Sequence, residues 1–133
     1  MLLKFMSVMV VDQEAALSFY TKILGFEKMA DIPMGPFRWL TVTSPDGLAG
    51  VELVLEPINF PPAQAYQQAL FEAGIPSIAL ITDDIQADYQ RLNGLGVVFR
   101  TPPTPQGPIF SAVFEDTCGN LINLVQPSVK SEN

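Results

Sequence analysis

Glu52 stands between Val51 and Leu53 in an apolar segment that continues through Val54 and Leu55. A lone carboxylate in an apolar cleft can have a raised pKa and abstract a proton. The chain has no histidine and a single cysteine. Ser-His-Asp and Cys-His catalysis are excluded within one chain, and so are zinc centres of the Cys/His type. Any metal would need oxygen ligands alone. Cys118 lies in the turn Asp116-Thr117-Cys118-Gly119 and is expected to be exposed there. No Lys or Arg lies close to it in sequence to lower its pKa, so no nucleophilic role is expected.

The rest of the composition narrows the setting. The chain has 133 residues, 48% of them apolar and 16% charged, which suits one compact domain or two small modules sharing a core. Its net charge of −7 argues against nucleic acid, because phosphate binding needs a basic face. That charge leaves a cationic or neutral small ligand open, and it also serves solubility. No run of about 18 apolar residues exists to span a bilayer, so no membrane partner is expected. The start lacks the features of a signal peptide, and one cysteine forms no internal disulfide. A cytoplasmic location is the expectation.

The elements that must position these residues come as a repeat. Val8-Met9-Val10-Val11-Asp12 leads into residues 13–24 and Gly25-Phe26. Ala79-Leu80-Ile81-Thr82-Asp83-Asp84 leads into residues 85–95 and Gly96-Val97. Asp12 and Asp84 lie 72 positions apart, and Gly25 and Gly96 lie 71 apart. Each half predicts an apolar strand, an acidic helix start, an amphipathic helix, a Leu-Gly stop and further strands. Residues 33–36 and 102–108, rich in proline and glycine, are expected as a turn and a loop; Ser44-Pro45-Asp46-Gly47 is a turn signal. The expected organisation is a first βαβββ module over residues 1–57 and a connector with a short helix over 58–74. A second βαβββ module follows over 75–127, then a polar, frayed tail over 128–133. The fold class is α+β. Side by side, the modules make an eight-stranded curved mixed sheet with helices on its convex face and a concave cleft for a ligand.

The order of these segments resembles the vicinal oxygen chelate superfamily: glyoxalase I, bleomycin-resistance proteins and extradiol dioxygenases. The likeness runs over residues 3–127. It is carried by Val10-Val11-Asp12, Phe19-Tyr20, Leu24-Gly25-Phe26, Thr82-Asp83-Asp84 and Leu95-Gly96-Val97. Phe114-Glu115-Asp116 through Gly119-Asn120, then Leu124-Val125-Gln126-Pro127, completes it. The resemblance implies four metal-ligand positions, which here hold Phe5, Glu52, Ser77 and Asn123. Only Glu52 keeps the expected chemistry, so no metal and no cofactor are expected.

Strand alternation then sorts the side chains. If Phe5 and Ser77 face the cleft, Ser7, Met9, Ala79, Ile81, Glu52, Val54, Asn123 and Val125 face it too. Val8, Val10, Leu53, Leu55, Ile78, Leu80, Ile122 and Leu124 pack under the helices. The candidate ligand-binding residues are Phe5, Ser7, Met9, Arg38, Trp39, Glu52, Ser77 and Asn123. Arg38 also suits a pairing with a carboxylate such as Glu52, and Trp39 a core or dimer contact. Two functions follow. One is metal-independent binding of a small apolar or cationic molecule, of the bleomycin-resistance type, in a cleft shared by a homodimer. The other is a lyase or dioxygenase of the glyoxalase kind with Glu52 as base. A scaffold that makes a protein contact is a third.

Overall fold

The computed structural model describes residues 1–128. It contains the eight strands that the repeat predicts, in the order β1 (Phe5–Val10), α1 (Gln13–Ser18), β2 (Glu27–Met34), β3 (Phe37–Thr43), β4 (Glu52–Pro57), α2 (Pro61–Ala73), β5 (Ile78–Ile81), α3 (Ile85–Gly94), β6 (Phe99–Gln106), β7 (Ile109–Glu115) and β8 (Leu121–Pro127). Hydrogen bonding divides them into two four-stranded mixed sheets, β1-β4-β3-β2 and β5-β8-β7-β6. The architecture is α+β with two βαβββ modules, and the ladders of the expected eight-stranded sheet run as two sets of four. No helix among the described residues is long and apolar enough to cross a membrane.

Local chemistry sets the helix boundaries. Asp12 accepts from the Ala15 amide at 2.9 Å, and Asp84 from the Ala87 amide at 3.0 Å. Each carboxylate satisfies an amide that the first helical turn leaves without a partner. After α1 the chain continues as a π-helical segment, Phe19–Ile23, which the sequence pattern does not announce. Gly25 then leaves the helix with φ 85°. Two prolines at the first positions of α2 give up amides that have no helical partner in any case.

Two proline-rich segments differ from expectation. Pro33 is not in a turn but in β2, opposite Arg38, and the turn is confined to Gly35-Pro36. Likewise, Pro102, Pro103 and Pro105 belong to β6, not to a loop. Both strands are sheet edges. Proline is tolerated at an edge because its missing amide has no ladder partner to lose. Register breaks between Thr101 and Thr104 absorb the irregularity. Ser128 is fastened by its amide and hydroxyl to the Pro108 carbonyl. The remainder of the expected frayed tail, 129–133, lies outside the described residues.

One core serves both modules. Val8, Val10, Leu40, Val42 and Leu55 from the first sheet join Ala112, Phe114, Ile122 and Leu124 from the second, with Ala16, Phe19, Tyr20, Ile85 and Leu92 between them. Phe19 of the first module approaches Phe114 of the second at 6.4 Å between ring centroids. Val8, Val10, Leu55, Ile122 and Leu124 of this core belong to the helix-facing set that alternation assigns, while Leu53, Ile78 and Leu80 of that set pack against it only partly buried.

Candidate functional site

The ladder registers place the candidate residues. Phe5 is opposite Glu52, Ser7 opposite Val54, and Thr41 opposite Val54, so these side chains share the face of the first sheet turned away from the core. Trp39 and Ile32 pair on that face as well. In the second sheet, Ala79 and Val113 flank Asn123, and the Ser77 amide, one step earlier, bonds to the Leu121 carbonyl. Each sheet therefore presents one half of the expected concave surface.

On the first half, Phe5 and Trp39 meet edge to face, with centroids 5.4 Å apart and planes at 77°. Phe5 is 45% exposed, so this aromatic pair is open for stacking. The Lys4 ammonium lies 5.5 Å from the Phe5 centroid. Glu52 sits beside the pair. Its Oε1 accepts from the Thr41 hydroxyl at 2.6 Å, and its Oε2 faces Lys4 Nζ at 3.5 Å. Thr41 and Lys4 were not foreseen. Thr41 lies on the antiparallel neighbour of the Glu52 strand, and only knowledge of the hairpin register brings it there. Ser7 reaches Glu56 at 3.3 Å, and the Met9 carbonyl accepts from Gln67 and Asn120.

Arg38 is not part of this surface. Adjacent strand residues point to opposite faces, so the strand that presents Trp39 outward turns Arg38 towards α1. There its guanidinium grips Asp31 with two hydrogen bonds, at 2.9 and 2.8 Å, and Glu14 at 2.6 Å. The carboxylate that pairs with Arg38 is thus not Glu52. The Arg38 hydrogen bonds hold the Asp31 carboxyl down at about 2.

On the second half, the Ser77 hydroxyl donates to Asn120 Oδ1 at 3.2 Å. Asn123 Oδ1 is buried and has no hydrogen-bond partner among the described residues. A buried acceptor without a donor costs roughly 1–3 kcal/mol.

The metal that the resemblance implies fails on its donors. Phe5 has no ligating atom, Ser77 and Asn123 are neutral, and both Glu52 oxygens are engaged. Among the described residues no group of three or more His, Cys, Asp or Glu is placed to hold an ion. The residues do not fit a transition-metal centre. The halves touch through Asn120, whose side-chain amide donates to the Met9 carbonyl at 2.7 Å and whose Oδ1 accepts from the Ser77 hydroxyl at 3.2 Å. No hydrogen bond among the described residues links Phe5 or Glu52 to Ser77 or Asn123. A cleft of about 950 Å³ lies between the modules, and another of about 290 Å³ beside α2. None of the eight candidate residues lines either one.

Cys118 is buried at 2% exposure, against the expectation of an exposed turn. The turn closes because Asp116 Oδ1 accepts from the Cys118 and Asn120 amides, while Gln67 of α2 covers the Cys118 carbonyl. Burial, then the charge of Asp116, pushes the Cys118 thiol from 9.0 up to about 12. The same two causes raise the Tyr20 hydroxyl far above its ordinary 10.0. Groups whose pKa is raised by folding stabilise fully below their unfolded pKa and lose that contribution as pH rises. Stability in urea is expected to be level up to about pH 8.5. Above pH 9 it should fall by up to about 1.4 kcal/mol per unit for each group. Cys118→Ala should remove the early part of the fall, and a flat profile to pH 11 would contradict the assignment.

Comparison with known proteins follows the same lines. The sequence model of the Glyoxalase/Bleomycin resistance protein/Dioxygenase superfamily matches residues 2–124. The Bacillus subtilis (strain 168) protein described as "Uncharacterized protein YurT" is 52% identical over 120 residues, covering 90% of this chain and 94% of that one. The crystal structure of UcmS2 superimposes with a TM-score of 0.80 at 32% identity, covering 94% of this chain and 97% of the other. TnmS3, described as an antibiotic binding protein from Streptomyces sp. CB03234, superimposes with a TM-score of 0.75 at 35% identity, covering 96% and 97%.

Proposed function

Since the chain belongs to the Glyoxalase/Bleomycin resistance protein/Dioxygenase superfamily, we propose that it binds a small apolar or cationic molecule without a metal. The guest sits on the concave surface, in a cleft that a second copy completes. The observation that carries this reading is the first half-site itself: an open Phe5–Trp39 pair beside a carboxylate, at positions where a metal-binding relative needs donors. Aromatic faces attract cations and planar rings, and the Glu52 carboxylate beside them is one a cationic guest would share with, or take from, the half-exposed Lys4. Ser77 and the unpartnered Asn123 oxygen offer hydrogen bonding from the second half. TnmS3, an antibiotic binding protein by its description, supports a sequestering role.

Dimerisation belongs to this proposal. Phe5, Ile32 and Met34 leave the outer face of the first sheet apolar and open, and Ile81 at the edge strand of the second is 76% exposed. Surfaces of this kind are commonly covered by a partner. With no hydrogen bond among the described residues from Phe5 or Glu52 to Ser77 or Asn123, a second copy can set the first half of one protomer against the second half of the other. The cytoplasm is the proposed location. The second reading makes Glu52 the base of a glyoxalase-like enzyme; the groups beside that carboxylate are the Thr41 hydroxyl and the Lys4 ammonium.

Trp39 is the sole tryptophan, so its fluorescence reports on the surface directly. Titration with ethidium, a planar aromatic cation, is expected to change that fluorescence and raise the melting temperature. Glu52→Gln should weaken binding about tenfold, the equivalent of about 1.4 kcal/mol. Ni²⁺, Zn²⁺, Mn²⁺ and Fe²⁺ should leave the melting temperature unchanged. Stoichiometric metal with a raised melting temperature, lost in Glu52→Ala, would overturn the metal-free reading. Sedimentation showing only a 14.5 kDa species would overturn the shared cleft.

A further inference from the structure

We propose a second binding site, for a lipophilic cation, in the cleft between the modules, bordered by both sheets, α3 and the 44–48 loop. Ala79, which flanks Asn123, and Ile81 also line this cleft, so it adjoins the concave surface, but the second site does not depend on that reading. The cleft measures about 950 Å³, at the upper end of what small-molecule sites enclose. Its walls include Met6 and Leu53 from the first sheet and Ile78, Leu80 and Leu124 from the second. These residues belong to the core-facing set, yet Met6 is 44% exposed, and Leu53, Ile78 and Leu80 are only partly buried. Interiors normally pack without such gaps. Side chains bordering one forgo dispersion contacts that a guest of suitable shape restores.

Charge sets the kind of guest. The cleft is bordered by Asp46, Asp83, Asp84 and Asp88, with Arg91 the only Lys or Arg among its lining residues. Arg91 is already engaged, through the Ile23 carbonyl at 3.0 Å and Asp88 at 3.8 Å. Asp84 caps α3, and Asp88 accepts from Thr82. Asp46 and Asp83 make no hydrogen bond or ion pair among the described residues. Two uncommitted carboxylates above apolar walls favour an apolar body carrying a positive charge, and a net charge of −7 draws it in. Strands β1 and β4 thus border one candidate site on each face: Phe5 and Glu52 outward, Met6 and Leu53 inward.

The test uses the full chain and two probes of one shape and opposite charge, tetraphenylphosphonium and tetraphenylborate, in calorimetric titrations. The phosphonium is expected to bind one per chain, more weakly as salt rises, and the borate at least about tenfold more weakly. Asp46 and Asp83 are exposed, so Asp46→Asn with Asp83→Asn leaves the core intact and should weaken the phosphonium about tenfold. Methyl NMR locates the guest: shifts are expected at Leu53, Ile78, Leu80 and Leu124. Equal binding of the borate, unchanged affinity in the double variant, shifts confined to Val54, Val113 and Val125 on the outer faces, or no binding would each overturn the proposal.

Discussion

Asp116→Ala is expected to cost about 3–5 kcal/mol, much of the 5–15 kcal/mol that holds a typical domain together. Asp116 is fully buried, and four donors converge on it. The Tyr20 hydroxyl and the Asn120 side-chain amide reach Oδ2 at 2.7 and 2.9 Å; the backbone amides of Cys118 and Asn120 reach Oδ1 at 2.7 and 3.0 Å. Removal of the acceptor strands all four in the interior, and each unsatisfied group is costly. The network also joins the modules, since Tyr20 comes from the first and Asp116 from the second, 96 positions away. Tyr20→Phe removes one donor and should cost less, roughly 1.5–3 kcal/mol. Because the two residues share a bond, the double variant should lose less than the sum of the singles. Urea denaturation of the four forms measures this directly. A loss below about 1 kcal/mol in Asp116→Ala would show that solvent reaches the turn.

The Asp-Thr-Cys-Gly turn shows where sequence reasoning reaches its end. Asp12, Asp84 and Gly25 do their work on neighbours within one helical turn, so their roles were legible from local pattern. Strand alternation likewise sorted Val8, Val10, Leu55, Ile122 and Leu124 into the core, because period two is a property of the strand alone. The failures share a different origin. Pro33 and Pro102 look like turn residues until the sheet order places them on edge strands. Arg38 and Trp39 are adjacent and cannot share a face, and only the partners Asp31 and Glu14 on one side and Phe5 on the other show which of them joins the surface. Cys118 seemed exposed because its cover, Gln67, comes 51 positions earlier on α2. The candidate site divides in the same way. Which residues Glu52 and Asn123 face depends on strand register and on how two modules pack, as Thr41 beside Glu52 shows, and no local pattern encodes that.

Gly119→Ala is expected to cost about 3 kcal/mol and to loosen α2 specifically. Gly119 holds φ 95°, a conformation that costs an L-residue roughly 1–2 kcal/mol. Space adds a second penalty. A Cβ there would lie 2.8 Å from Gln67 Oε1, 2.9 Å from its Cδ and 3.0 Å from its Nε2. Gln67 is 5% exposed and well held. Its side-chain amide donates to the Met9 carbonyl at 2.8 Å, to Asn120 Oδ1 at 3.1 Å and to the Cys118 carbonyl at 3.3 Å. A methyl group at position 119 must push that side chain out, and α2 loses the contact that fastens it to both β1 and the β7–β8 turn. Gly25 separates the two penalties. It also has positive φ, 85°, but nothing lies within 4 Å of its Cβ position, so Gly25→Ala should show the conformational cost alone, about 1–2 kcal/mol. Gln67→Ala in the Gly119→Ala background removes the clash, and the pair should cost less than the sum of the two changes. Urea melts of these variants, with limited proteolysis to find the first cut, decide the matter. Cleavage within 61–73 of Gly119→Ala at protease levels that spare Gly25→Ala is the expected result, whereas equal losses in the two glycine variants would mean that Gln67 gives way freely and α2 is held by other contacts.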